Sequence, residues 1–167
     1  ENRLLWKFNR FRLDFESLRD ALVAVTGKLD TKMGGPSVNV LGGFNGRRSI
    51  YGRINRMDLT PVLRSFDFPD PNITCSRREN TTVAPQALYL MNNSTIAEYA
   101  LRISTRKDLP NEQPAKVTRL YEILFARQPV EDEMVLAKKY LGENTNAPTW
   151  QNFVHALLLT NEFFFID

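Results

Sequence analysis

The chain contains one cysteine and one histidine, and that scarcity removes whole classes of chemistry. Cys75 alone cannot close an intramolecular disulfide, and there is no Cys-x-x-Cys pair for a metal site or for covalent haem attachment. His155 is the only imidazole available to a nucleophile or a metal. On the last helix it falls off the arc of Phe153, Val154 and Leu157, so it is expected to face solvent or a subunit border. Cys75 has Arg77 and Arg78 nearby, but a reactive thiol also needs an accessible setting, and the expectation is a buried, structural cysteine. No metal and no cofactor are therefore expected within these residues. Asp67 and Asp70 could form an acid-base pair, yet an aspartate before proline is also a common turn former, and the turn is the preferred reading.

Long apolar runs are missing too. None approaches the roughly eighteen residues needed to cross a bilayer, so no transmembrane segment is expected. The opening Glu1-Asn2-Arg3-Leu4 has neither an initiator Met nor a signal-peptide pattern, and the chain is expected to be a piece of a longer protein. The net charge is only +3, with arginines dispersed among acids rather than gathered in a stripe, which argues against nucleic acid as a partner. The glycines at 34, 35, 42, 43 and 46 match no phosphate-binding loop and read as turn glycines.

What is present is a helical pattern. An apolar content of 43%, eleven Phe among it, suffices for one core in 167 residues. Leu4, Phe8, Phe11, Phe15, Leu18, Leu22 and Val25 alternate by four and three, which predicts helix over about six turns. A break near Arg12-Leu13 would leave Asp14 to cap a second helix, with Gly27 ending it in a left-handed cap. From Leu29 to Gly46 the composition turns to glycine, proline, asparagine and small residues, and predicts loop. Alternation over 48–54 predicts a short strand. Thr60-Pro61 predicts a brief helix, and Pro85 another after an irregular stretch from Asp67 to Thr82.

Further along, Asn93 or Ser94 can cap a helix carrying Ile96, Tyr99, Ala100 and Ile103. Pro114 opens a helix with the stripe Val117, Leu120, Tyr121, Leu124 and Phe125, closed by Pro129. Glu131-Asp132-Glu133, then Lys138-Lys139 and Gly142, match the dipole and the stop of the next. A last helix begins near Pro148. The fold class predicted is mainly α, an irregular multi-helix domain with long polar loops and at most a short strand or hairpin. Within 1–167 this places N-terminal helices in 1–30, a loop-rich segment in 31–84 and a helical bundle in 85–167.

One polar constellation stands above the background: Arg47, Arg48 and Arg53, then Asp67, Asp70, Asn72, Arg77, Arg78, Thr81, Thr82, Gln86 and Asn92. Side chains of this kind in irregular backbone either satisfy loop amides and carbonyls, the more frequent role, or line a polar groove for a carboxylate, sulfate or sugar. The candidate ligand-binding set is Arg48, Asp67, Asp70, Arg77, Arg78, Gln86 and Asn92. Under the first role Arg78 should be tied to Asp67, Asp70 or loop carbonyls, and Arg78→Ala should cost on the order of 2 to 4 kcal/mol.

The same segment carries a family resemblance. Phe66-Asp67-Phe68-Pro69-Asp70-Pro71-Asn72, then Cys75, Arg78, Thr81-Thr82, Pro85-Gln86-Ala87-Leu88 and Leu90-Met91-Asn92, resembles the signature of the planctomycete domain of unknown function 1553. Arg12-Leu13-Asp14, Leu18-Arg19-Asp20-Ala21-Leu22 and Val25 to Asp30 are similar to the start of its conserved half. Ala126-Arg127-Gln128-Pro129 and Leu157 to Phe163 fit its end.

The resemblance implies the C-terminal region of an exported, cell-surface or periplasmic bacterial protein. Upstream domains in such proteins often include a cytochrome c-like one, so any haem would belong there. It assigns no activity. The leading expectation is a structural, partner-binding or polymer-binding module that packs on the remaining domains of its own chain. The alternative is a polar loop lent to a hydrolase or redox-linked active site that those domains complete.

Overall fold

In a computed structural model, Leu4, Trp6 and residues 10–142 and 146–166 are described. The elements run β1 (Phe11–Arg12), α1 (Phe15–Val25), α2 (Pro61–Ser65), α3 (Ala84–Asn92), α4 (Ser94–Ser104), α5 (Gln113–Phe125), α6 (Glu131–Leu141), α7 (Ala147–Leu158), α8 (Asn161–Phe164) and β2 (Phe165–Ile166). The protein is mainly α, and its one described sheet is the short antiparallel pair β1–β2, with Phe11 opposite Ile166 and Arg12 opposite Phe165.

The stripes predicted from periodicity are the faces that pack. α4 and α7 form the most extensive helix pair. Ile96, Tyr99, Ala100 and Ile103 from α4 and Trp150, Val154, Leu157 and Leu158 from α7 are all buried. α5 contributes Val117, Leu120, Tyr121 and Leu124, and α1 contributes Phe15, Leu18, Leu22 and Val23 to the same cluster. Each buried Val, Leu, Ile or Phe side chain among them gains about 1.5–3 kcal/mol from leaving water, so the bundle's stability resides in these faces.

Caps follow the chemistry of their residues. Asp14 Oδ1 accepts the Ser17 amide at 2.9 Å, and Asn93 and Asn146 cap α4 and α7 in the same way. Gly27 sits at φ +72°, as its place after α1 requires. The left-handed residue that stops α5 is Ala126, φ +56°, so Pro129 is not what ends that helix. Thr60 stands before Pro61 as predicted, but its hydroxyl makes no cap bond and is buried without a partner among the described residues.

Two predicted elements differ. The helical stripe starting at Leu4 is not one helix: Leu4 lies in a turn, Trp6 and Arg10 are irregular, and Phe11–Arg12 is strand. Phe8 lies outside the described residues. Leu4 and Trp6 are exposed, so the periodicity has no core to face. Pairing with β2 and the Leu13 amide bonded to the Phe164 carbonyl at 2.8 Å hold the chain extended until Asp14.

The strand predicted over 48–54 is instead a single 3-10 turn, Ser49–Tyr51, with one isolated parallel bridge between Val38 and Gly52. Its alternation came from Ile50 and Ile54, which point away from the core at 75% and 37% exposure.

The loop-rich middle is held by cations from α1 and its neighbours. Arg19 is 4% exposed and donates to the carbonyls of Val40 (3.1 Å), Asn45 (2.6 Å) and Arg47 (2.8 Å), with Asp20 Oδ1 at 3.3 Å. Arg47 continues the chain of donors to the Lys32 and Gly34 carbonyls at 2.7 and 2.6 Å and lies over the Tyr51 ring. Gly46 is required by packing, because a Cβ there would stand 2.5 Å from the Lys28 carbonyl oxygen. At the far end, Arg127 bridges α6 and α8 through paired bonds to Glu133 and Glu162.

Arg19→Ala strands three loop carbonyls and is expected to lower the free energy of unfolding by about 3 kcal/mol, measured by urea titration. Arg19→Lys should recover only a minor part, since one ammonium cannot reach acceptors spread over 40–47.

Hydrogen bonds from Arg106 hold the Asp108 carboxyl at about 2, and those from Arg127 hold the Glu133 carboxyl below its ordinary value. Depressed carboxylates stabilise fully above their unfolded values and lose that contribution as pH falls through the folded ones. The melting temperature should therefore decline between about pH 4.5 and about pH 2, and Arg127→Leu should make that decline shallower.

Candidate functional site

The candidate polar residues do not gather at one point. Asp67 is the centre of the first group. Its backbone is left-handed at φ +59°, a conformation that aspartate tolerates better than most side chains. Asp67 Oδ2 accepts Arg12 Nη2 at 2.9 Å and the Thr81 amide at 2.9 Å, and Oδ1 accepts the Thr81 hydroxyl at 2.8 Å. Arg12, 5% exposed, also donates to the carbonyls of Leu13 and Thr81. Gln86, 4% exposed, donates Nε2 to Ser65 O at 2.8 Å and Thr81 O at 3.1 Å, while its Oε1 accepts the Val83 amide at 3.3 Å. Thr81 is thus gripped from three sides, and the loop between α2 and α3 is closed on β1.

Arg78 does not join this group. Its guanidinium forms a two-pronged pair with Glu16 at 2.9 and 2.7 Å, approaches Asp14 at 3.5 Å and lies over the Phe68 ring. Glu16 chiefly, then Asp14, raises its affinity for the proton. With 37% of the side chain in solvent it is not the buried cation that the sequence led us to expect. Of the partners expected for it, Asp67 is bonded to Arg12 of β1 and Asp70 to the Asn72 amide.

Asp70 closes a local turn by accepting the Asn72 amide at 2.9 Å. Arg77 and Asn92 are exposed. Arg48 stands 3.8 Å from Asp20 at a different place, beside α1.

Two further expectations are corrected. Cys75 is exposed, its thiol 3.1 Å from the Arg77 carbonyl, because the 70–80 loop crosses the surface, as exposed Ile73 also shows. His155 is half-buried rather than turned to solvent. Its Nε2 lies 3.0 Å from the Leu90 carbonyl, which can only accept, so Nε2 carries the proton and ties α7 to α3. Among the described residues no cluster of three His, Cys, Asp or Glu could hold a metal ion, and no helix is long and apolar enough to cross a membrane.

Arg12 and Arg19 were not among the candidate site residues. Arg19 had a legible signal: it lies four residues after Phe15 and four before Val23, a core position of an amphipathic helix, where a cation is retained only with acceptors. Arg12 had none, since its setting depends on strand pairing with the other end of the chain.

The site's geometry is that of a mainly helical domain whose loops are clamped by buried arginines. Residues 1–141 match the family described as "PSD1: Protein of unknown function (DUF1553)", and the chain belongs to it. No curated protein and no solved structure matches the chain.

Asp67→Ala strands the buried Arg12 and is expected to cost about 3 kcal/mol. Arg78→Ala breaks a half-exposed pair and should cost about 1 kcal/mol or less. Chemical denaturation of both variants checks the order; equal losses would contradict this division of roles.

Proposed function

We propose that the chain is a non-catalytic structural or partner-binding module of a secreted or cell-surface bacterial protein, packing on other domains of that protein. One observation carries this reading: Asp67, Asp70 and Arg78, the residues an active site would need to bring together, each bond to different neighbours within the fold. Their polarity serves loop closure and leaves no convergent donor set for a substrate. Extracytoplasmic location and the upstream cytochrome c-like neighbour belong to the same proposal and rest on the family resemblance.

A surface suited to packing lies beside that network. A shallow apolar groove of about 180 Å³ between α3, α8 and β2 is bordered by Val83, Ala87, Met91 and Phe165. Val83 and Met91 are 43% and 56% exposed there. Covering them with another domain adds a hydrophobic gain of the usual size.

Hydroxyl-radical footprinting compares the 167-residue chain with the complete natural protein. Oxidation of Met91 should fall several-fold in the complete protein, while exposed Met33 and Met57 remain reactive as internal references. Equal oxidation of Met91 in both would reject packing through this groove. The alternative, a loop lent to a hydrolase or redox site, instead requires that Asp67→Asn abolish an activity of the complete protein without shifting its melting temperature.

A further inference from the structure

A second cavity, of about 350 Å³, lies between the first turn of α1 and the Val40–Ile54 segment. Its floor is apolar: Phe15, Val40 and Leu63 are all under a tenth exposed, and Phe68 lies beside them. Gly52 forms part of the wall, where a Cβ would stand 2.9 Å from Val40 Cγ2, so only glycine lets the segment approach so closely. The volume falls in the range of small-molecule sites, which pair an apolar body with a few placed polar groups.

Four charged side chains line this cavity: Glu16, Asp20, Arg48 and Arg53. Both acids are already engaged. Glu16 gives its two oxygens to Arg78, and Asp20 Oδ1 accepts the Ser49 amide at 2.7 Å and Arg19 Nη1 at 3.3 Å. Arg48 Nε forms a long ion pair with Asp20 Oδ2 at 3.8 Å but no hydrogen bond, and Arg53 makes no side-chain bond or ion pair among the described residues. Arg53 therefore brings to the rim a positive charge with no acid partner among the described residues, above an apolar floor. Guanidinium groups in that position favour a carboxylate, which can take two parallel N–H bonds.

We propose that this cavity binds a small monocarboxylate with an apolar body, an aryl or short alkyl group of about ten heavy atoms. The carboxylate pairs with Arg53, assisted by Arg48, and the body occupies the space above Phe15, Leu63 and Phe68. This site is independent of the packing groove beside α3 and of the module reading.

The test uses 3-phenylpropionate and its neutral amide, followed by amide chemical shifts of the ¹⁵N-labelled 167-residue chain. Saturable shifts are expected at Ser17 and Ser49 to Arg53, with a dissociation constant on the order of 0.1 to 1 mM. The amide should bind about tenfold more weakly, as should the carboxylate to Arg53→Gln, a surface change that leaves the melting temperature unaltered. Equal affinity for acid and amide, undiminished binding to Arg53→Gln, shifts centred on α3, or no saturation at several millimolar each overturn the proposal.

Discussion

The irregular backbone between α1 and α3 has almost no ladder in which to bond its own carbonyls, and buried guanidinium groups supply the donors. Arg19 gathers the carbonyls of Val40, Asn45 and Arg47. Arg12 gathers those of Leu13 and Thr81 and neutralises Asp67. A planar fork with five N–H groups is the one side chain able to serve several acceptors from one buried point. Without it these segments would have to remain in water, because an unmade buried hydrogen bond costs about as much as several made ones contribute. The placement of the loops against the helical bundle, and hence both apolar hollows, depends on this arrangement.

The bundle and the loops therefore differ in kind. α4, α5 and α7 are held by apolar area, where substitution of one methylene-rich side chain for another is tolerated within volume limits. The loops are held by directional bonds, where Arg19 or Asp67 has no substitute of similar geometry. The polar string from Phe66 to Asn92 that marks the resemblance includes Asp67, Thr81 and Gln86, each bonded to another part of the loop closure.

Electrostatics divides along the same line. Arg78 with Glu16 and Arg127 with Glu133 and Glu162 are solvent-facing clamps that fix orientation at modest energy. Arg12 and Arg19 are enclosed, and their removal leaves buried or partly buried acceptors without a donor. Arg53 belongs to neither set, since its charge has no acid of its own and lies at the rim of an apolar hollow.

Local sequence determined the helices α3 to α7 and their buried stripes, with the Asn93 cap and the Gly142 stop, because periodicity, proline, acidic first turns and glycine stops act within a few residues; the end of α5 at Ala126 and the short α8 were not legible in it. It also pointed to a mostly irregular segment over 31–84, whose last residue the structure assigns to α3. Tertiary structure alone decided that Phe11–Arg12 is strand, since the bond partners, Phe165 and Ile166, lie at the opposite end of the chain. It decided that Arg12 rather than Arg78 receives Asp67, that Cys75 is exposed and that His155 meets Leu90. Each of these is a competition between distant groups for one acceptor or one place at the surface. Such competition is settled only when the chain has folded back on itself.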